Sequence, residues 1–460
     1  FELEIDNSNI GPGTLTPTAD ILLVSMRKVI KYILMGLQNS NYPIPNPEQY
    51  KVQAEYNECI MGKSYNREKH RYPKFIGPDS FTLQIANIAP INENANVPNI
   101  RNDYTVTEKA DGERYMMFIA KDGHVYFINK NLHIIFSGAV SENPEVFNTL
   151  IDGELILHDK YGKYINLYAA FDLYFLNGQD KRSLGFVPRK KDDISSKFRL
   201  PILKSVISGL KLKSIVAGNK SPLRAESKKF YPSNPDDDIF SACNYILGKE
   251  DEGLYEYNTD GLIFTPASMG VGADKIGASG PLKKISWEHS FKWKPPKYNT
   301  IDFLVKTIKT GTGADKVTPI FQSGIDTSAN VQFSEYKSLI MCVGFNLKQH
   351  GYDNACQDVI DDKLPNFKDI DEDEYTYRPA EFVPTNPADP NAGLCNLMLR
   401  PDATGVNQMF TEEDEVFEDD MIVEFRYDID KDAKWRWIPL RVRYDKTAKY
   451  RQSGTDIGNA

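Results

Sequence analysis

The 460-residue chain is long enough for two or three domains, each with its own core, and its 41% hydrophobic and 12% aromatic content excludes intrinsic disorder. No apolar run approaches the roughly 20 residues of a membrane-spanning helix, so no membrane partner is expected. Five scattered cysteines, Cys59, Cys243, Cys342, Cys356 and Cys395, argue against zinc and a disulfide framework and fit a reducing compartment, while a net charge of −9 argues against RNA binding by overall charge.

Residues 1 to about 65 open with an expected strand, Phe1-Glu2-Leu3-Glu4-Ile5, and a Gly/Pro-rich turn. Between Ile21 and Leu37 the positions Leu22, Met26, Val29, Ile30, Ile33 and Leu37 fall on one helical face, which predicts a packed amphipathic helix. No signal-peptide pattern is present and the first residue is Phe1, from which a piece of a longer protein is expected. From about 66 to 297 strand patterns dominate. Tyr104-Thr-Val-Thr-Glu108 alternates, Tyr115-Met-Met-Phe-Ile-Ala120 is apolar throughout, and Lys121-Asp122-Gly123 signals a hairpin. Further strand-like runs stand at 150–157, 168–175, 259–266 and 291–294, with a helix expected within 192–212. Beyond 298, runs at 301–305, 331–345, 421–425 and 435–444 predict the short strands of a small barrel. A polar, Pro-rich insertion from about 350 to 415 lacks periodicity, and its length marks it as functional or mobile. Acid concentrates at 361–362, 369–374 and 412–420, read as solvated loop faces, with partner docking as the alternative.

Six short motifs carry chemistry. Lys109-Ala-Asp-Gly-Glu-Arg114 puts a nucleophile-grade lysine, an acid, a turn glycine and an arginine between two strands. Asp152-Gly153-Glu154, Phe171-Asp172, Thr259-Asp260-Gly261, Lys292-Trp293-Lys294 and Arg441-Val-Arg443-Tyr-Asp445-Lys446 follow in that order. Order and spacing resemble the collinear motifs of the covalent nucleotidyltransferases: ATP-dependent DNA ligases, RNA ligases and mRNA capping guanylyltransferases. The resemblance spans residues 104–446. It implies an α+β fold: an ATP-grasp-like nucleotidyltransferase domain with antiparallel sheets at 66–297, then a C-terminal OB-fold barrel at 298–450.

A lysine attacks phosphorus only as a neutral amine, and at a pKa near 10.4 only about 4 in 10,000 are neutral at pH 7. Cationic neighbours and desolvation lower that value. Arg114, Lys292 and Lys294, with bound Mg2+ or Mn2+, are the expected source of positive field, and Glu154 and Asp260 are hard oxygen donors for a metal or for ribose hydroxyls. By the resemblance, Lys109 carries the nucleotide, Arg114 and Glu154 meet the ribose, and Phe171 stacks on the base. Asp260 works at the metal side, Lys292 and Lys294 hold the α-phosphate, and Glu108 joins the nucleotide-binding set. Arg443, Asp445 and Lys446 come from a mobile barrel and orient the leaving pyrophosphate. The plain alternatives are a core position for Phe171, a turn acid for Glu154 and the solvent face of a strand for Lys292 and Lys294.

Asn299-Thr-Ile-Asp302-Phe303, the form of residues 259–266, and the Ile422–Asp428 phrase with its Arg443-x-Asp-Lys446 ending resemble capping enzymes and not ligases. The implied activity is guanylyl transfer from GTP to 5′-diphosphate RNA. An ATP-dependent RNA or DNA ligase and an inactive scaffold in a transcription complex are the other readings. Base choice is not readable from the motifs; Lys228 or Lys229 is the expected donor to guanine O6. Glu2 and Glu4 alternate as in the closing strand of metal-dependent tunnel-type RNA triphosphatases, with a polar edge strand as the alternative. Residues 1–65 are thus expected to be such a domain's remnant with a linker helix. Residues 451–460 sit where multifunctional capping enzymes of large DNA viruses pass into a methyltransferase. Such a context implies a viral RNA polymerase as a partner and the host cytoplasm (viral factory) or the virion as location.

Overall fold

The computed structural model describes residues 4–38, 40–66, 74–91, 97–188, 195–232, 238–295, 298–321, 333–345, 359–360, 378–384, 389–402 and 404–454. The chain divides into two units, Phe1–Trp293 and Lys294–Ala460. Glu2 and residues 455–460 lie outside the described residues. Phe1 and Leu3 of the expected strand lie outside them too, and of its remaining residues Glu4 and Ile5 are exposed and in no strand.

Helix α1 (Ala19–Gln38) forms as its periodicity predicts, but it is not the packed helix expected. On the expected face Leu37 is 60% exposed, Ile30 42% and Val29 41%, and of the helix's residues only Gln38 is buried. Helix α2 (Asn46–Met61) does pack, through Val52, Tyr56, Cys59 and Ile60.

The first unit contains β1 (Asp79–Thr82), β2 (Tyr104–Ala110), β3 (Glu113–Ile119), β4 (His124–Asn129), β5 (Ile134–Ser141), β6 (Thr149–His158) and β7 (Tyr164–Leu176). It continues with β8 (Gln179–Asp180), β9 (Leu212–Ser214), β10 (Arg224–Ser227), β11 (Tyr231–Pro232), β12 (Thr259–Pro266) and β13 (Ser286–Trp293). One sheet runs β1-β13-β12-β2-β11 and the other β10-β7-β6-β3-β4-β5-β9, with β8 beside β7. Pairings are antiparallel except β1 with β13 and β10 with β7. The uninterrupted apolar run at 115–120 is explained by double coverage. Tyr115, Met117 and Ile119 pack with Leu200, Leu203 and Val206 of helix α3 (Arg199–Ser208), while Met116, Phe118 and Ala120 pack with α2. Each large side chain so buried contributes roughly 1.5–3 kcal/mol. Helix α4 (Ile239–Asp251) covers the other sheet through Ile239, Cys243 and Ile246.

The strands of the second unit are β14 (Thr300–Thr307), β15 (Val317–Phe321), β16 (Phe333–Phe345), β17 (Arg378–Glu381), β18 (Leu394–Met398), β19 (Arg400–Pro401), β20 (Asn407–Phe410), β21 (Val416–Phe417), β22 (Ile422–Tyr427) and β23 (Trp437–Val442), closed by helix α5 (Tyr444–Ser453). The unit holds two antiparallel sheets, one of seven strands in which β15-β16-β14-β22-β23 run in order with β17 and β18 also on β16, and one of three, β19-β20-β21. The long β16 pairs in turn with β15, β18, β14 and β17. Phe303 and Trp437 meet edge to face at 4.9 Å in its core.

Two expectations for this unit need correction. The insertion is not uniformly irregular, because β17 and β18 add to β16. The acids of 412–420 are also not merely solvated. Asp419 accepts from the Thr307 backbone N–H at 2.5 Å, Glu415 from that of Val442 at 2.5 Å, and Glu412 pairs with Arg426 at 2.8 Å. Backbone N–H groups left outside a ladder need acceptors, and these carboxylates provide them. Cys59, Cys243, Cys342 and Cys395 are buried and free.

Candidate functional site

Strands β2 and β3 are consecutive in the chain but belong to different sheets, so the Asp111-Gly112 turn carries the backbone from one sheet to the other. A side chain at Gly112 would put its Cβ 2.8 Å from Glu154 Cγ and 2.9 Å from the Leu155 carbonyl oxygen, so the turn presses against β6 as only glycine permits. Alternation along β2 sends Tyr104 and Val106 toward α4 and Thr107 and Lys109 into a cavity.

That cavity has a volume of about 750 Å3, within the range of small-molecule sites. Lys109, Arg114, Glu154, Phe171, Lys228 and Lys292 all line it. A larger hollow of about 940 Å3 lies on the other side of the turn, lined by Asp111, Glu113 and Asp159 and by no lysine or arginine, which makes it unsuited to phosphates.

Lys109 Nζ donates to Asp260 Oδ1 at 2.7 Å. The two strands pair through a bulge between Thr259 and Leu262 in which Gly261 has φ +139°, a backbone state that glycine adopts freely. Arg114 stands directly across the ladder from Glu154, and its guanidinium reaches diagonally to Asp152, Nε to Oδ1 at 3.0 Å and Nη2 to Oδ2 at 2.5 Å. Nη1 also donates to the Pro78 carbonyl at 2.9 Å, and the guanidinium carbon lies 5.7 Å from the Phe171 ring centroid. Arg114 was expected to give Lys109 a positive field, but its charge is met by a fully buried carboxylate and reaches the cavity as one half of an ion pair. Burial pushes the Glu154 carboxyl up to about 7, against the opposing charges of Lys228, Arg114 and Lys109.

Lys228 and Lys229 separate cleanly: Lys228 is buried and lines the cavity, whereas Lys229 is exposed. Lys228 Nζ donates to the Glu108 carbonyl oxygen and lies 3.4 Å from its carboxylate. The Glu108 carboxylate also accepts from Tyr257 Oη at 2.9 Å and Thr107 Oγ1 at 2.8 Å. Glu108 was expected among the nucleotide-binding residues; instead its side chain holds Lys228 and does not line the cavity. Phe171 is half-buried at the cavity wall, and the neighbouring Asp172 is pinned by Arg199 at 2.8 Å. Lys292 is exposed on β13, and Lys294 begins the second unit.

Among the described residues no group of three or more His, Cys, Asp or Glu is arranged to hold a metal by itself, Glu4 included. Of the two expected donors, Glu154 lines the cavity, while Asp260 is reached through its hydrogen bond from Lys109 and is not among the lining residues. Magnesium bound jointly with substrate phosphates takes one or two carboxylates, so this donor set fits an ion that arrives with a nucleotide.

In the second unit, Arg443 Nη1 donates to Asp302 Oδ2 at 2.8 Å, and Lys446 Nζ donates to the same oxygen. Asp445 is largely exposed, 3.6 Å from Arg443 Nε. Sequence reading missed Asp152, which holds Arg114, Tyr174, whose hydroxyl donates to Asp152 at 2.6 Å, and Tyr257 and Thr107, which donate to Glu108. For Asp152 the signal was present: it sits two residues from Glu154 and therefore on the same strand face.

Residues 68–296 match the family of the mRNA capping enzyme catalytic domain. The chain is 26% identical over 467 aligned residues to a probable mRNA-capping enzyme of Acanthamoeba polyphaga mimivirus, covering 93% of this chain and 34% of that protein. It is 30% identical over 223 residues to an mRNA-capping enzyme of Danio rerio, covering 46% of this chain and 32% of the relative. The chain thus spans about a third of the length of the curated relatives it matches. A mycobacterial DNA ligase D structure with ATP and MES aligns at 15% identity over 78% of this chain and 97% of the other, with a TM-score of 0.31.

Proposed function

We propose, on the premise that residues 68–296 belong to the mRNA capping enzyme catalytic-domain family, that the chain is an mRNA guanylyltransferase. The observation that carries the reading is the convergence of Lys109, Arg114, Lys228 and Lys292 with Phe171 around one 750 Å3 cavity. An amine, three further cations and an aromatic wall suit a nucleoside triphosphate.

Lys109 Nζ, once free of Asp260, loses one proton to solvent and as the neutral amine attacks the α-phosphorus of GTP. The N–P bond forms as the bond to the bridging oxygen breaks, pyrophosphate leaves with its electron pair, and a second amine proton passes to solvent. A β-phosphate oxygen of 5′-diphosphate RNA then attacks the same phosphorus and the lysine departs. Phe171 stacks on the base, Lys228 donates to guanine O6, and Arg114 and Glu154 meet the ribose. Lys292 and Lys294 hold the α-phosphate. Glu154 and Asp260 would hold Mg2+ or Mn2+ with the triphosphate, where the ion would neutralise charge on the departing pyrophosphate.

The second unit is proposed to be an OB-fold barrel that supplies Arg443, Asp445 and Lys446 to the pyrophosphate. The similarity to the mimivirus protein over 93% of the chain supports a place within a larger viral capping enzyme, with a viral RNA polymerase as partner in a cytoplasmic factory or virion. Residues 1–65 are proposed to be a triphosphatase remnant with a linker helix, and 451–460 a linker.

Incubation with Mg2+ and α-labelled GTP or ATP tests the activity. A covalent GMP adduct supports it, an AMP adduct indicates a ligase, and no adduct indicates a scaffold.

A further inference from the structure

Strand β1 is the edge of its sheet, and β13, which carries Lys292, lies next to it. The register places Thr82 of β1 beside Lys292, then Ile263 of β12 and Thr107 of β2, and all four line the 750 Å3 cavity as one row across its floor. Three residues back along β1, about 10 Å at the rise of a strand, stands Asp79. One of its carboxylate oxygens lies 3.5 Å from Arg114 Nη1, and the other pairs with Lys284 Nζ at 2.8 Å. Lys130 follows Asn129, which is paired with Tyr115, so it takes the place across from Arg114 at the end of the β3–β4 ladder. Lys130 and Lys284 are exposed, and both line the same cavity.

β1 is therefore a lip that runs from the side of Arg114 to the side of Lys292. The roles proposed above for GTP use Arg114, Glu154, Phe171 and Lys228 for the nucleoside and Lys292 for the α-phosphate, and they leave the lip unused. Its charge suits a polyanion. Arg114 is met by Asp152 and Lys284 by Asp79, while Lys130 and Lys292 add two more cations, so four positive charges face two negative ones. With Glu154 ionised as well, one positive charge is still left over. The neutral groups are hydroxyls: Thr82, Ser286 and Ser80, the last with its Oγ 2.8 Å from that of Ser290. Lysines and hydroxyls grip a phosphate backbone without reading bases. A 5′-diphosphate RNA differs from pyrophosphate by the nucleosides and phosphodiesters that follow. Those must pass over an edge of the cavity when the diphosphate reaches the phosphorus beside Lys292.

We propose that the β1 lip, with Lys130 and Lys284, is the acceptor subsite, which holds the first phosphodiesters of the 5′-diphosphate RNA. This rests on the function proposed above and involves the first unit alone.

The test uses the full chain and the variants Lys130→Ala, Lys284→Ala and the two combined; the single variants serve if the combined one does not fold. Three quantities are measured: adduct formation from GTP, reversal of a preformed adduct by pyrophosphate, and KM for 5′-diphosphate RNA in transfer from that adduct at several salt concentrations. The combined variant should raise KM for RNA about tenfold and weaken its salt dependence, by about 0.7 in the slope of log KM against log salt for each lysine. Adduct formation and pyrophosphate reversal, which involve no phosphodiester, should stay at wild-type values. A KM for RNA that is unchanged, or raised with the salt slope intact, would overturn the proposal. So would an equal loss with pyrophosphate, the mark of a general weakening of the site. A wild-type chain that forms no GMP adduct would instead overturn the functional reading, and this proposal with it.

Discussion

Arg114 and Asp152 form a two-point ion pair, 3.0 and 2.5 Å, around a carboxylate that is wholly buried and also accepts from Tyr174 Oη at 2.6 Å. A pair of this kind is neutral as a unit, and breaking it strands one charge away from water. Asp152→Asn is therefore expected to lower stability by about 3–5 kcal/mol, and Arg114→Ala by a similar amount. Removing both should cost less than the sum, because neither charge is then left alone. Urea titration of the three variants measures this; additive losses would mean that the two residues act independently.

Lys109 has a different position in the energetics. Its side chain is 25% exposed and makes its ion pair with an Asp260 that is also partly exposed, so the pair contributes little to folding. Lys109→Ala should melt within a few degrees of wild type yet form no labelled GMP adduct. Lys109→Arg should also form none, because a guanidinium stays protonated and cannot attack. An acid-labile, alkali-stable adduct on either variant would assign the nucleophile elsewhere.

Glu154 predicts a pH signature. Its carboxyl would ionise near 4.5 in the unfolded chain and does so at about 7 in the folded one, chiefly because burial disfavours the charge. Between those values the folded state keeps a proton that the unfolded state has released, so stability falls as pH rises through this window and levels above it. The full difference is roughly 3 kcal/mol. In EDTA-containing buffer, the melting temperature of wild type should decline from pH 5 to 7 more steeply than that of Glu154→Gln. Parallel curves would show that Glu154 does not carry the slope.

The strands were legible because period-two alternation and turn glycines are local: residues 259–266 were read from sequence and form β12 with those bounds. The cavity side of β2 was legible for the same reason, since Lys109 and Thr107 share a parity that Glu108 does not. What sequence could not supply was register between distant strands. Arg114 and Asp152 meet because β3 lies on β6 in one particular offset, and a one-residue slip would bring other side chains to the guanidinium. Helix α1 shows the converse limit, for its apolar stripe encoded a helix but not a covering surface. In β18, Leu394-Cys-Asn-Leu-Met398 was hidden inside a run dominated by proline and acid, yet five residues were enough to pair with β16.

The last prediction separates the two half-reactions. Asp445 sits in the first turn of α5, 65% exposed at its side chain, so Asp445→Ala should cost under about 1 kcal/mol, the scale of a lost acid near a helix N-terminus. Any large kinetic effect would then be chemical rather than structural. If the second unit acts on the departing pyrophosphate, Asp445→Ala should slow adduct formation strongly. RNA has to reach the loaded lysine after the pyrophosphate has left, so the same residue has no partner in that step. Asp445→Ala enzyme that has been loaded slowly with GMP should therefore pass it to diphosphate RNA at a near wild-type rate. Equal losses in loading and transfer would mean that Asp445 serves both steps or only maintains the start of α5, and circular dichroism of the variant distinguishes these two cases.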